Sequence, residues 1–307
     1  MSAASLRPFA LLAALACLSA VSCASIPQAA PAGSLHAAPA GAPHVSILER
    51  RVSAATVSHV RELDCSSDRV PPSLDGYRIV FVSDIHFRNR YSRARLNALF
   101  SGINAEKADC IILGGDLTLG TAEIPEFCEA ASSLRATEGV YATLGNHDFF
   151  NGKTTAIAQL RKSGIVVLDA TAIVTPRGLS VAGIADFRDE FPAMEHFIET
   201  IPDSGFTVLA SHNPDFMEKA TADDLAHFDL VLSGHLHGGQ ITLFGYAPIL
   251  PSEYGQRYRT GTVFKGNVPV IVSNGAGYSG ERFRFRFCAP SDFLSITLRR
   301  PAPPKVP

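Results

Sequence analysis

Val140-Tyr141-Ala142-Thr143-Leu144-Gly145-Asn146-His147-Asp148 is the stretch on which the fold turns. A short apolar run of this kind reads as a buried strand. The glycine then lets the backbone turn tightly. Three side chains with oxygen or nitrogen lone pairs follow at once. The same grammar recurs on both sides of it. Ile79 to Val82 lead to Asp84-Ile85-His86, and Ile111 to Leu113 lead to Gly115-Asp116. Val208 to Ala210 lead to Ser211-His212, and Leu230 to Leu232 lead to Gly234-His235-Leu236-His237. In sheets built from such units the strand ends and their loops converge on one rim.

The stretches between the motifs supply the helices. Ser92 to Ala105 carries Leu96, Leu99, Phe100 and Ile103 at helical spacing, with Ser92 placed to cap the N-terminus. Ala122 to Leu134 and Thr154 to Ser163 read as helices, and strands at Tyr77 to Ser83, Cys110 to Leu113 and Val140 to Leu144 alternate with them. This alternation predicts an α/β sheet in layers. Two strands flanking a turn are expected from about Val45 to Val60, and a loop from Leu63 to Gly76. Ile165 to Leu168, Ala172 to Thr175 and Leu179 to Ile184 are short and closely spaced, which predicts a meander. Phe191 to Thr200 reads as a helix. Further strands are expected at Phe206 to Ala210, Phe228 to Leu232, Thr262 to Lys265, Val268 to Ser273 and Phe293 to Leu298. Phe283, Phe285 and Phe287 alternate with Arg284 and Arg286, the pattern of an outer strand with one buried and one wet face.

Gathered at a rim, the motifs bring seven oxygen and nitrogen ligands together. One cation does not need seven protein ligands, whereas two sharing an aspartate do. Two cations a few ångströms apart suit in-line displacement at phosphorus. Histidine and carboxylate with one amide oxygen suit manganese, iron or zinc, not calcium, and manganese is the metal expected. Cysteine takes no part in the motifs, so a thiolate zinc site is excluded.

The chain has 307 residues, 46% hydrophobic and 18% charged, with a net charge of −2. That is enough to bury a large core. It provides no basic field to recruit nucleic acid. The first 24 residues read as an export signal, with Arg7 ahead of the apolar stretch Phe9 to Val21. That stretch is shorter than the roughly 20 residues a membrane span needs. Ala20-Val21-Ser22-Cys23 resembles a bacterial lipobox with Cys23 as the lipidated residue, and Ser22-Cys23-Ala24 offers an ordinary cleavage site instead. Residues 25–43, rich in Ala and Pro, read as a tether, and residues 45–300 as the folded domain. The expected location is therefore the cell envelope, with a membrane-anchored lipoprotein favoured over a soluble secreted protein. Of the cysteines outside the signal, Cys110 and Cys128 read as buried thiols, and a disulfide is permitted in that compartment.

With five motifs in this order, the chain resembles the calcineurin-like metallophosphoesterase superfamily, over roughly Tyr77 to Leu298. The resemblance implies a four-layer sandwich, two facing mixed β-sheets flanked by helices. It implies Asp116 as the bridging ligand, Asp84, His86 and His237 on a first metal, and Asn146, His212 and His235 on a second. A hydroxide bridging the two would be the nucleophile. His147 would act at the leaving group, with Asp148 either orienting it or fixing its loop. Arg88 and Asn89 could contact substrate or lie in a solvated loop. Gly238-Gly239-Gln240, Asn274-Gly275-Ala276-Gly277 and Arg282-Phe283-Arg284 are similar to a narrower bacterial group of exported or membrane-associated phosphoesterases. That group includes phospholipid-related members and one branch that cleaves the pyrophosphate of an acylated UDP-glucosamine. The expected substrate is thus a phosphodiester or pyrophosphate of an envelope lipid or glycolipid, met at a membrane surface. A phosphomonoesterase, or a non-catalytic metal-stabilised surface lipoprotein, are the alternatives.

Overall fold

The computed structural model is described here over residues 34–37, 45–54, 58–88, 91–149, 152–186, 194–202, 205–280 and 285–301. The export signal, Cys23 and most of the expected tether lie outside these residues, as does Asn89. Within the tether range, Ser34–Ala37 forms strand β1, antiparallel to β2. Among the described residues, no helix is long and apolar enough to cross a membrane.

Two sheets carry the fold. The first runs β1-β2-β3-β14-β4-β5-β6-β7, and the second β12-β13-β11-β10-β9-β8. In the first, β2 is Val45–Ala54, β3 His59–Ser67, β4 Arg78–Val82, β5 Cys110–Gly114, β6 Val140–Thr143, β7 Val166–Val167 and β14 Asp292–Arg299. In the second, β8 is Thr171–Val174, β9 Ser180–Ile184, β10 Thr207–Ser211, β11 Leu230–Ser233, β12 Gly261–Lys265 and β13 Val268–Val272. Strands β4 to β7 are mutually parallel, as are β9, β10, β11 and β13. Antiparallel β14, β8 and β12 make both sheets mixed.

Side chains alternate along each strand, so every central strand feeds two cores. Ile79 and Phe81 of β4 point with Cys110, Ile112, Val208, Ala210, Leu230 and Leu232 into the space between the sheets. Val80 and Val82 point the other way, with Ile111 and Leu113, against the helices Arg93–Ala105, Ile124–Ala131 and Lys153–Lys162. Leu209, Val231 and Val270 pack beneath Phe197, Phe216 and Phe228 on the far side. Helix, sheet, sheet and helix thus form four layers. Ser92 caps its helix as expected, accepting from Arg95 N at 3.2 Å.

Several expectations are corrected. The stretch Leu63 to Ser67 is strand, not loop, because β3 continues alongside β14. The predicted meander is divided: β7 joins the first sheet beside β6, while β8 and β9 pair in the second. Short apolar runs specify strand but not which of two sheets receives it. The helix predicted from Ala122 begins as a 3-10 turn at Thr121–Glu123 and becomes α-helical at Ile124, with proline in its first turn, where the missing N–H costs nothing. Finally, Phe285, Arg286 and Phe287 form no strand beyond a single bridge from Phe287 to Ile241. Phe285 faces solvent, and Arg286 turns inward.

Candidate functional site

Register places the motifs. Val82 pairs with Leu113 and Gly114 with Thr143, so Asp84, Asp116 and Asn146 leave the first sheet from aligned ends. Ala210 pairs with Leu232, which aligns the departures of His212 and His235 from the second. The loops then bond to one another. Asp84 N donates to Gly115 O and His86 N to Asp116 O, both at 2.9 Å, and Gly234 N donates to His212 O at 3.0 Å. Gly145 and Gly234 serve by clearance rather than by turn geometry. A β-carbon at Gly145 would overlap Asp116 Oδ1, and one at Gly234 would overlap Asp84 Oδ2.

Six of the seven predicted ligand residues meet in one place. Asp84, His86 and His237 bring ligand atoms within 4.8 Å of one another, and so do Asp116, His212 and His235. Asp116 lies between the two groups. Its Oδ2 is 3.5 Å from His86 Nε2 and 3.6 Å from His212 Nε2. Asn146 Oδ1 is buried and accepts no hydrogen bond. His86 Nε2 and His237 Nε2 stand 3.1 Å apart, closer than two lone pairs settle without a proton or cation between them. A buried set of two carboxylates, four imidazoles and one unused amide oxygen fits divalent cations of the kind expected from the donor chemistry.

The supporting contacts aim these atoms. His212 Nδ1 lies 2.8 Å from Gly114 O; donating there fixes the tautomer and leaves Nε2 toward Asp116. Asp116 Oδ1 accepts from His147 N at 2.8 Å, which frees Oδ2 for the centre. Ser83 Oγ donates to Asp84 Oδ2 at 2.6 Å, and His235 N donates to the same carboxylate. Burial opposes charge on both Asp116 and His212. Each nevertheless favours its charged form: His212, His86 and His147 hold Asp116 well below the usual carboxylate range, and Asp116 raises His212. Burial, then the neighbouring Asp116, pushes Asp84 up to about 6 despite help from His212. Burial, with His86 and Arg286 beside it, holds His237 well below the ordinary histidine value. The centre therefore carries a strong internal charge pattern even before any cation is considered.

His147 is half-buried and packs edge-on against His86, with ring centroids 4.6 Å apart. Asn146 and His147 keep partial exposure while the other predicted site residues are buried, so the centre opens on their side. Asp148 is spent on the backbone. Its Oδ1 accepts from Leu117 N at 2.9 Å and Thr118 N at 3.3 Å, and its Oδ2 from Gly145 N at 2.9 Å. The loop-fixing role is the one this geometry displays. Arg88 is drawn away to pair with Glu126.

Arg286 was missed from the sequence. Its guanidinium donates to the carbonyls of His237, Asn274, Gly277 and Ala289, and its Nη2 lies 3.2 Å from His237 Nδ1. It clasps the loop Asn274 to Gly277 against the Asp84 loop, where Ala276 N donates to Ser83 O and Gly277 N to Asp84 O. Alternation with three phenylalanines was the only local signal, and it pointed Arg286 at water.

Comparison with known proteins adds an independent finding. The model of the calcineurin-like phosphoesterase family matches residues 77–239. A metallophosphoesterase of Bacillus subtilis (strain 168), YkuE, is 28% identical over 242 residues, covering 76% of this chain and 82% of that one. A metallophosphoesterase of Helicobacter pylori (strain J99) is 28% identical over 228 residues, covering 72% of this chain. There the matched stretch spans 59% of the relative's length. The crystal structure of a dimetal phosphatase from Danio rerio superimposes with a TM-score of 0.42 at 10% identity, over 66% of this chain and 88% of that one.

Proposed function

The chain belongs to the calcineurin-like phosphoesterase family and is a phosphoric ester hydrolase using two divalent cations, and from that premise we propose that it cleaves a phosphodiester or pyrophosphate of an envelope lipid or glycolipid. The observation that carries the reading is the position of Asp116, with one buried histidine of each ligand group at 3.5 and 3.6 Å from the same oxygen. In this reading Asp84, His86 and His237 would hold one cation, Asn146, His212 and His235 the other, and Asp116 would serve both. When bound, such a pair lowers the pKa of water and neutralises charge at phosphorus. Manganese is the favoured metal.

The chain's own residues do the rest. Asp116 is held by His147 N, so its shared oxygen stays aimed at both groups. Asp84 is held by Ser83 and His235 N. His147, on the open side, would donate a proton to the departing oxygen. The seven ligand positions are spread over two sheets and their loops are mutually bonded, which keeps the distances fixed as substrate arrives.

Side-by-side turnover of bis(4-nitrophenyl) phosphate and 4-nitrophenyl phosphate, with manganese supplied, tests the bond class. The diester is expected to be the better substrate, and a clear preference for the monoester overturns the diester reading. Location is proposed on the N-terminal sequence: export, then anchoring through Cys23. Wild type is expected to take up radioactive fatty acid and Cys23→Ala to lose it. An unlabelled wild type that fractionates as soluble removes the anchor.

A further inference from the structure

The loop that supplies His237 also builds a second surface. Beyond it lies a cavity of about 470 Å³, walled chiefly by Leu236, His237, Ile241, Pro248, Ile249 and Pro251. Its described walls hold no Asp, Glu, Lys or Arg. Besides His237 and Ser279, the described walls carry one polar side chain, Gln240, and its amide is already engaged. Gln240 Nε2 donates to Ser279 O at 2.9 Å, and Gln240 Oε1 accepts from Ser279 N at 2.7 Å. The apolar surface continues outward from the cavity. Ile249 is 81% exposed. Phe244, held out at 82% exposure by a tight turn closed by reciprocal bonds between Leu243 and Tyr246 at 2.8 and 2.9 Å, is not among the cavity's walls. An apolar trough with an exposed apolar lip is the signature of a binding surface.

His237 identifies the occupant. It belongs both to the ligand group with Asp84 and His86 and to the trough wall. The trough and the centre therefore share one side chain, which puts them side by side. A sugar or nucleobase needs several donors and acceptors there, whereas the walls are chiefly apolar and the Gln240 amide is bonded to the Ser279 backbone. We propose that this trough takes the alkyl or acyl chain of an amphiphilic phosphoester whose phosphate lies at the metal centre. The proposal rests on the phosphoesterase reading and adds the apolar subsite to it.

A series of alkyl 4-nitrophenyl phosphates with four, eight and twelve carbons, each below its micelle threshold, tests this with the full chain and manganese. Water adds to phosphorus and nitrophenolate leaves in every member, so the chemistry is constant and only the chain varies. Each methylene buried is worth roughly fourfold in kcat/KM, so at least about a hundredfold rise from four to twelve carbons is expected. Ile249→Asp, at an exposed position that leaves folding intact, is expected to bring that ratio below about tenfold. Phe244→Ser, outside the trough wall, is expected to keep it. A flat profile in an enzyme that turns over the butyl diester overturns the trough and spares the hydrolase reading. A steep profile that survives Ile249→Asp also overturns it, as does an Ile249→Asp effect seen only in self-association or vesicle binding. Failure to hydrolyse any member or bis(4-nitrophenyl) phosphate strikes the hydrolase reading itself.

Discussion

Asp84, His86, Asp116, His235 and His237 all have positive φ, between 46° and 67°. That conformation costs a non-glycine residue of order 1–3 kcal/mol and persists only where surroundings over-determine it. Here the loops are pinned to one another by backbone bonds and to the carboxylates by Ser83, His147 N and His235 N. Asp116 is the most exacting of these positions because one oxygen faces both groups. Asp116→Asn is expected to lower turnover more than tenfold, a loss above about 1.4 kcal/mol, and to exceed the loss from Asn146→Asp, which keeps an oxygen in place. Turnover of a diester at saturating manganese decides it, and retention of more than a tenth by Asp116→Asn contradicts the bridging role. His147→Ala is expected to keep its metal and lose about 10²–10⁴-fold in rate. The loss should shrink as the leaving group becomes more acidic. A constant loss across a leaving-group series would make His147 a stabiliser of charge and not a proton donor.

At the scale of elements, Arg61 ties the two sheets together. From β3 it pairs with Glu49 of β2 at 3.3 Å and Asp292 of β14 at 3.5 Å, and it donates to Val272 O of β13 at 3.0 Å. All three side chains are almost wholly buried. Removing one partner from such a cluster leaves uncompensated charge in the core, which costs about 3–5 kcal/mol. Arg61→Ala is expected to lower the urea midpoint accordingly with little change in slope, and a shift under about 1 kcal/mol would mean that water reaches the carboxylates. Asp292 also accepts from Ser273 Oγ and Asn274 N, at the start of the loop that Arg286 clasps. Arg286→Gln is accordingly expected to weaken metal retention while leaving the sheets folded. Residual metal after dialysis, measured beside far-ultraviolet circular dichroism, separates those two effects. Full metal content in Arg286→Gln would leave the clasp without a role at the centre.

For the whole molecule, the site is a seam between two sheets. Asp84, His86, Asp116 and Asn146 come from one sheet, and His212, His235 and His237 from the other. Cations held across that seam bind only the folded chain, so they stabilise it by mass action, about 2.7 kcal/mol at a hundredfold excess over Kd. Chelation is expected to lower Tm by roughly 5–10 °C for a chain of this size, and manganese readdition to restore it. Elemental analysis of the reloaded protein is expected to approach two ions per chain. A plateau at one ion with full activity would break the shared-site arrangement.

The order of motifs, the apolar runs before them and the helix periods between them were enough to predict layered sheets and to mark the loops that meet at one rim. Those are local properties: a strand's period, a turn's glycine and a ligand's atom type are written residue by residue. Tertiary structure alone decided the rest. Which sheet receives β7, β8 and β9 depends on long-range pairing that short apolar runs do not encode. Asp148 spends its oxygens on Leu117, Thr118 and Gly145 because the fold brings those amides to it. Arg286 lies 49 positions after His237, yet it clasps that residue's carbonyl. An alternating pattern says which side chains share a face, but not which face is buried. That choice belongs to whatever packs against it, and here carbonyls of the Asn274–Gly277 loop took the cation while Phe285 was left to water.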